Sequence, residues 1–497
     1  MNTIITSKII ITTLIPMITG LLVMFSGKKP NLRDSWSTLG AILTFASVLS
    51  FLPTILGGDQ LQYTLFELYP GISVKLTLDP LGVIFALVAS FLWVLASLYC
   101  VGYMRGLNEH AQTRFYVCYA VSVGAAMGAA FAGNLFTLYL FYEIVSIFTY
   151  PLVMHHQDEE GYAGSKKYIV YLMFTSKAFL LPAMVVIYVL CGTLDFNTAN
   201  IVQGIFPAGA DHFVIGITFF LCLFGFAKSG IMPLHNWLPD AMVAPTPVSA
   251  LLHAVVVVKV GVFSVCRVML SIYGTQFLAD SGVGLFTAYF VSFTILMASV
   301  IALTKTNLKA RLAYSTISQL SYIILGVAML TPNSITGGLI HIANHALAKI
   351  TLFFAAGAIF VATGKKDIGE MGGLGKRMPF TMLAFGVASL SMIGAPPVGG
   401  FVTKWYLALG TMDIHNYILL GVLLFSSLLN AGYFVPIFLT AFFGKTLPED
   451  EGKTGSLEKK PMVVFMVVPL VITGTLSALI GVYPDLFLNL INLLVRP

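Results

Sequence analysis

Several basic residues lie inside long apolar runs of this sequence, where a charge is expensive. A charged side chain at the centre of a membrane costs roughly 2.5 to well above 10 kcal/mol. Withdrawal from water favours the neutral form of lysine, so a buried lysine can take up and release a proton. One acid, Glu143 in NLFTLYLFYEIVSIFTYPLV, is expected to lie deep among them. The basic residues concerned are Lys8, Lys177, Lys228, Lys259, Arg267, Lys349 and Lys404.

The segment HIANHALAKITLFF carries a polar stripe, because His341, His345 and Lys349 are spaced by four and share one helix face. Successive side chains are about 6 Å apart along the axis, which is too far for a direct hydrogen bond, so the stripe predicts a hydrated proton path. Two histidines spaced by four can also bind a metal, but no neighbouring acid or cysteine completes a site. Polar residues of the preceding run are expected to hold water beside the stripe or to make ordinary interhelical hydrogen bonds: Ser315, Ser318, Gln319 and Tyr322.

The run APTPVSALLHAVVVVKVGVF carries His253 and Lys259, which lie about 240° apart around a helix. They are therefore expected to face different neighbouring helices. Histidine can donate and accept hydrogen bonds at once, which suits a relay, although a single buried histidine is also often only a satisfied polar group.

Two apolar runs are interrupted beside a lysine. Pro233 and Pro239 follow Lys228 in FGFAKSGIMPLHNWLPDAM, which predicts a helix break and a hydrated pocket around Lys228 and His235. The run SLSMIGAPPVGGFVTKW breaks just before Lys404. Interruptions at comparable positions of the two halves indicate an internal repeat with ion sites at the breaks. The alternatives are proline kinks without a transport role and lysines that snorkel to an interface.

Composition requires a membrane around these elements. Of 497 residues, 58% are hydrophobic and only 10% are charged, against about 25% charged in soluble domains. At roughly 20 residues a span, about fourteen transmembrane helices take up nearly the whole length. We therefore predict an all-α integral membrane protein with residues 1–497 in a single membrane domain. The net charge of +6 comes from loops and does not imply nucleic acid as a partner.

Alternating loops place most of the 27 basic residues on one side of the membrane. The positive-inside rule then puts the loops with Arg105, Lys166 and Lys376 in the cytoplasm, and both termini outside. Lys453 adds to the basic side, whereas Arg496 lies on the other. The five cysteines are scattered and form no C-x-x-C or Cys/His cluster, so no iron–sulfur centre, zinc site or other cofactor is expected.

Five fragments in order resemble one known family: FYEIVSIFTYPLV, AKSGIMPLHNWLPDAMVAPTPVSALLHAVVVVKVGVF, LKARLAYSTISQLSYI, HIANHALAKITLFF and PPVGGFVTKW. They are similar to the antiporter-like subunits of respiratory complex I, membrane-bound hydrogenases and multisubunit Mrp sodium/proton antiporters. The resemblance covers about residues 80–443, leaving 1–79 and 444–497 as flanking helices.

The resemblance implies a fold and a set of roles. It implies two inverted five-helix repeats, helices 4 to 8 and 9 to 13, with helices 7 and 12 broken. By matching motif, Glu143 and Lys228 resemble the family's glutamate–lysine pair, Lys259 its central lysine and Lys404 its terminal lysine. The hydrophilic axis would be lined by His341, His345 and Lys349, whereas His253 matches its family position less closely.

The function implied is proton translocation, with sodium exchange left open, by one subunit of a multisubunit complex in a prokaryotic plasma membrane. The short segment after the last helix resembles the D-type Mrp subunit, and a lysine stands where some complex I members carry a glutamate on helix 12. The alternatives are a proton-pumping subunit of a hydrogenase or NADH-quinone oxidoreductase and, as another class, a stand-alone metabolite carrier. No redox motif appears in the sequence, so a redox reaction would belong to partner subunits.

Overall fold

The computed structural model describes residues 2–446, 448 and 455–495, which are predominantly helical; Lys453 and Arg496 lie outside them. The described helices of ten or more residues are α1 (Lys8–Phe25), α2 (Pro30–Leu56), α3 (Pro80–Gly106), α4 (Gln112–Ala130), α5 (Leu135–Val153), α6 (Glu159–Cys191), α7 (His212–Gly225), α8 (Val248–Asp280), α9 (Val283–Thr304), α10 (Leu308–Ala328), α11 (Pro332–Thr363), α12 (Pro379–Ile393), α13 (Gly399–Asp413), α14 (Tyr417–Phe443), α15 (Pro461–Val482) and α16 (Asp485–Val495). Ten of these described helices are long and apolar enough to cross a membrane: α1, α2, α3, α5, α6, α8, α9, α11, α14 and α15.

A three-stranded sheet precedes α3 and is absent from the all-α prediction. Strand β1 (Thr3–Ile5) pairs in parallel with β2 (Gln60–Tyr69), which pairs antiparallel with β3 (Ile72–Leu78). The hairpin turns at Gly71, whose φ of +81° favours glycine. Alternating polar and apolar residues around a Pro-Gly turn were the sequence signal for this hairpin.

Burial ranks the helices from the centre of the molecule to its periphery. The most apolar stretch of α8 is entirely buried and those of α3 and α11 are 83% buried, against 33% for α2, α6 and α14. The central helices therefore hold the polar residues away from the surrounding lipid, while the peripheral ones expose leucine, isoleucine and phenylalanine side chains.

Side-chain caps fix the starts of the helices that carry the polar residues. Asn134 accepts from the Thr137 amide at 2.7 Å at the start of α5. Asn307 caps α10, and Thr331 begins α11 in a reciprocal capping box. Such caps satisfy backbone donors that a helix start leaves free.

The helix interruptions predicted from proline and glycine are present. Helix α7 ends at Gly225, and a single 3₁₀ turn at Ala227–Ser229 follows before the short helix Trp237–Asp240. Helix α12 ends at Ile393 and α13 begins at Gly399. Both breaks leave backbone carbonyls available to side chains.

Buried ion pairs correct the expectation that Glu143 is the single deep acid. Asp79, at the start of α3, is fully buried and binds both terminal nitrogens of Arg267 on α8, with one N···O distance of 2.6 Å. Asp34 on α2 is also buried and accepts from Arg105 at 2.5 Å and Arg33 at 2.8 Å. The pairs of Asp79 with Arg267 and of Asp34 with Arg105 could not be inferred from sequence, because each joins two different helices. They neutralise arginines that would otherwise be buried unpaired.

Candidate functional site

Lys228 lies on the 3₁₀ turn after α7 and is fully buried. Its Nζ donates to the Tyr142 backbone carbonyl at 2.9 Å and to Ser146 Oγ at 2.6 Å, both on α5. It also lies 3.1 Å from the centroid of the Tyr142 ring. Trp237 Nε1 holds the turn by donating to the Ala227 carbonyl at 3.0 Å. The lysine is therefore solvated by a carbonyl, a hydroxyl and an aromatic face in place of a carboxylate.

Glu143, the next residue along α5, pairs with a different lysine. Its Oε2 lies 3.0 Å from Lys177 Nζ on the π-helical turn Ser176–Leu180 of α6. The side chain of Glu143 is 13% exposed and that of Lys177 is 51% exposed, so the pair lies toward the protein surface. Glu143 Oε1 has no hydrogen-bond partner among the described residues. Glu143 is thus adjacent on α5 to Tyr142, whose carbonyl binds Lys228, but Glu143 and Lys228 form no direct ion pair.

Lys259 on α8 directly contacts the histidine stripe. Its Nζ donates to the Ala254 carbonyl at 2.7 Å and is in hydrogen-bond contact with Nδ1 of His345. Both side chains are fully buried. A direct amine–imidazole contact can pass a proton in either direction, because each group can either donate or accept one.

A close approach of two backbones brings α8 against the turn of Lys228. A Cβ placed on Gly261 would lie 2.2 Å from the Ser229 nitrogen and 2.8 Å from Lys228 Cβ. Only glycine fits there without a backbone shift. Gly261 therefore allows the turn that carries Lys228 to dock two residues from Lys259 along α8.

The stripe on α11 continues from His345 to His341, whose ring centroids are 5.6 Å apart. His341 Nε2 is 3.0 Å from Gln319 Oε1, and its ring lies 5.8 Å from that of Tyr322. Of the α10 residues expected beside the stripe, Gln319 and Tyr322 therefore contact it. The other two point elsewhere, Ser315 to the Tyr433 hydroxyl and Ser318 to Ser299.

Lys404 lies beyond Tyr322, with Nζ 5.4 Å from that ring. Its Nζ donates to the Ile393 carbonyl at 2.6 Å, the Met392 carbonyl at 3.2 Å and Ser427 Oγ at 2.8 Å. It thus binds the carboxyl end of α12, where free carbonyls and the helix dipole favour a cation. The side chain of Lys404 on α13 therefore bridges the break by bonding to the end of α12.

Lys349 extends the stripe in the opposite direction, one turn after His345. Its Nζ donates to the Leu312 carbonyl at 3.1 Å and lies 5.4 Å from the Phe434 ring. The side chain is fully buried. All three residues of the predicted stripe are therefore on the buried face of α11, with Lys259 contacting it at the middle.

His253 and His235, the other two histidines considered in the sequence analysis, lie apart from the stripe on α11. His253 is buried on the π-helical start of α8 with its ring 6.0 Å from Tyr168 and 6.4 Å from Trp237, away from the neighbours of Lys259. His235 lies beside Tyr314, at 6.3 Å between rings, and none of its described contacts joins it to Lys228.

Three buried nitrogens along this path have no hydrogen-bond partner within the described parts of the chain: His341 Nδ1, His345 Nε2 and Gln319 Nε2. Buried polar atoms in proteins are normally paired with protein or with water. The histidine atoms are donors and acceptors on the same face as the lysines, so they suit a water-bridged proton chain. No described carboxylate lies within ion-pair distance of Lys228, Lys259, Lys349 or Lys404.

One group of possible metal ligands was missed from the sequence. Glu109 and His110 follow α3, and His155 and His156 follow α5. Ligand atoms of Glu109, His110 and His155 lie within 4.8 Å of one another. The only sequence signal was two short pairs of such residues about 45 positions apart.

Comparison with known proteins matches residues 132–430 to the family described as NADH:quinone oxidoreductase/Mrp antiporter, TM. The chain is 28% identical over 495 residues to NADH-quinone oxidoreductase subunit N of Desulforudis audaxviator (strain MP104C), which covers 96% of this chain and 95% of that protein. It is 29% identical over 475 residues to Na(+)/H(+) antiporter subunit A1 of Staphylococcus aureus (strain bovine RF122 / ET3-1). That match covers 90% of this chain and 57% of subunit A1, so the chain spans little more than half of that relative.

Two solved structures share the fold. A chain of the Mrp complex from Dietzia sp. DQ12-45-1b superposes with a TM-score of 0.85 at 22% identity, covering 99% of this chain and 98% of that one. A chain of the membrane-bound sulfane sulfur reductase, an archaeal respiratory membrane complex, gives a TM-score of 0.85 at 24% identity, covering 98% and 97%.

Proposed function

Because the chain belongs to the NADH:quinone oxidoreductase/Mrp antiporter transmembrane family, we propose that it translocates protons as one subunit of a multisubunit membrane complex. The observation that carries the proposal is the buried contact of Lys259 with His345, from which the stripe leads through His341 and Tyr322 to Lys404. Ionisable groups buried in a membrane protein without carboxylate partners are otherwise costly, which supports a role in transport.

The subunit type proposed is D-like, in an Mrp cation/proton antiporter. The motifs around Lys228 and Lys404 support it, as does the lysine in place of a glutamate on the second interrupted helix. A redox-driven, proton-pumping subunit is the second candidate. The match to subunit N along nearly its whole length favours that alternative. In either case the partners would be other membrane subunits.

The architecture proposed is one membrane domain of fourteen spans, with α12 and α13 as two halves of one broken span and the core at about residues 80–443. Helices α4 to α8 and α9 to α14 would be the two inverted repeats. Each contains one interruption and one lysine beside it, Lys228 or Lys404, which supports this division. Both termini would lie outside the plasma membrane of a prokaryote, with the basic loops inside.

The roles proposed follow the contacts. Lys228 and Glu143 would load the path in the first half, Lys259 would pass protons to His345, and Lys404 would release them in the second half. His341 and Lys349 would line the path, and His253 would serve the first half. Water would bridge the gaps that exceed hydrogen-bond length.

Proton flux in vesicles, measured together with the abundance of the assembled complex, tests the proposal. We expect Lys228→Ala, Lys404→Ala and Glu143→Ala each to abolish flux with the complex still assembled, since each removes a titrating group and adds no bulk. Lys8→Ala, at an exposed lysine of α1, is the matched control and should transport normally. Normal flux in the Lys228 and Lys404 variants would contradict the proposal.

The orientation is tested separately by cysteine labelling in intact cells. A cysteine at position 376 should resist an impermeant reagent, and one at position 413 should react, because their loops are assigned to opposite sides. Labelling at position 376 from outside would overturn the topology without bearing on the proton path.

A further inference from the structure

Three histidines and one glutamate converge at one end of the helices α3 and α5. Glu109 and His110 lie in the connection from α3 to α4, and His155 and His156 lie just after α5. The rings of His110 and His155 are 4.8 Å apart, and those of His155 and His156 are 5.5 Å apart. None of these residues belongs to the path of buried lysines, so the cluster needs an explanation of its own.

We propose that Glu109, His110 and His155 bind a divalent transition metal ion of the zinc type, with His156 as a fourth ligand. This site is independent of the proposed proton path. It adds a metal to a chain for which the sequence alone predicted none.

The distances fit a tetrahedral ion. Glu109 Oε2 lies 3.6 Å from His155 Nε2 and 3.7 Å from His156 Nδ1. Zinc bonds of about 2.0–2.2 Å to nitrogen and oxygen set two tetrahedral ligand atoms about 3.4 Å apart. The observed separations are too long for good hydrogen bonds and close to this edge length. The His110 ligand atom lies within 4.8 Å of those of Glu109 and His155, so side-chain rotation on metal binding would have to bring the set to bonding distance.

The burial of His155 is a second, independent observation. Its side chain is fully buried, yet neither ring nitrogen has a hydrogen-bond partner in the described chain. A buried imidazole normally uses both nitrogens, because an unpaired polar atom away from water is costly. A metal ion held between this ring and Glu109 would satisfy the Nε2 atom that faces the carboxylate.

The ligand chemistry selects the class of ion. Calcium and magnesium take oxygen ligands, and only one of these four side chains supplies oxygen. Imidazole nitrogens with one carboxylate suit zinc and its neighbours in the first transition row. The cluster borders solvent, since His110 is exposed and His156 lines a cavity of about 360 Å³ with Tyr103 and Lys309.

Zinc binding to the full-length chain in detergent tests the site. After stripping with a chelator, the wild type should bind one Zn²⁺ per chain by equilibrium dialysis and metal analysis, and Co²⁺ should give the visible absorption of a tetrahedral complex. His110→Ala, at an exposed residue, should weaken zinc binding about tenfold or more. Glu109→Gln should do the same, because it removes the anionic ligand.

His212→Ala is the matched control, because His212 is an exposed histidine at the start of α7. It should bind zinc like the wild type. His155→Gln is a further variant, and size-exclusion chromatography shows whether it folds; the exposed His110 variant keeps the test valid if it does not. Zinc binding equal in the wild type, His110→Ala and Glu109→Gln proteins, or no binding in the wild type, would overturn the site.

Discussion

The two interrupted segments hold their lysines in different ways. Lys228 lies on the interruption itself and bonds to α5, with no described hydrogen bond that links it to Lys259. Lys404 lies after its interruption, binds back to the end of α12, and is joined through the Tyr322 ring to His341. The second half of the molecule therefore contains a nearly continuous row of polar groups, whereas the first half contains separate ones.

The position of Glu143 adds to this difference between the two halves. Glu143 is paired with Lys177 toward the surface, although its neighbour Tyr142 bonds Lys228 through the backbone carbonyl. A carboxylate that moved from Lys177 toward Lys228 would favour the charged form of Lys228. Under the proposed function, the second half would conduct protons and the first half would control when a proton is loaded.

Among the three further variants that probe the contrast between the halves, the largest effect is expected at the junction between them. Lys259→Ala should lower proton flux by about a hundredfold or more, because it removes the titrating group that contacts His345 and loss of a positioned acid–base group typically has that size. Flux in vesicles at equal complex abundance is the measurement. Retained flux would mean that the halves exchange protons without passing through α8.

The docking of the first-half turn gives the next prediction. Gly261→Ala should destabilise the protein by about 1–3 kcal/mol and displace Lys228, because the new methyl group meets backbone atoms. Thermal unfolding in detergent and proton flux should both fall. Gly421→Ala on α14, where a Cβ meets nothing within 4 Å, is the matched control and should change neither. Equal unfolding temperatures and equal proton flux in the two variants would show that this close approach matters for neither stability nor transport.

The smallest effect is expected at Lys177. Lys177→Ala should change flux only a few-fold and less than Glu143→Ala, because the pair is partly exposed and such pairs contribute about 0–1 kcal/mol. Combining the two changes should give the flux of Glu143→Ala alone. A Lys177 variant as inactive as the Glu143 variant would show that the surface pair, rather than Lys228, is the working partner of the acid.

Sequence reasoning located the parts of this site that one segment encodes. The spacing of four identified His341, His345 and Lys349, and the prolines and glycines identified both helix breaks, because periodicity and backbone restriction are local properties. Residue types in apolar runs identified Lys259 and Lys404. These predictions needed no knowledge of which helices touch.

What the sequence could not supply is the pairing between distant segments. The Asp79 and Arg267 pair joins positions 188 residues apart. Glu143 pairs with Lys177 because α6 packs on α5. The histidine cluster after α5 depends on the same packing with the connection after α3. Such contacts follow from tertiary geometry, which single-sequence patterns do not contain.

The most direct test of the account is proton flux through His345→Leu. Leucine keeps the helix and suits a buried site, so the complex should assemble in normal amounts, while the only imidazole in contact with Lys259 along the described path is lost. We expect proton flux in His345→Leu to be at least about tenfold below that of the wild type. Flux at the wild-type rate would show that the stripe on α11 is structural and that protons take another route.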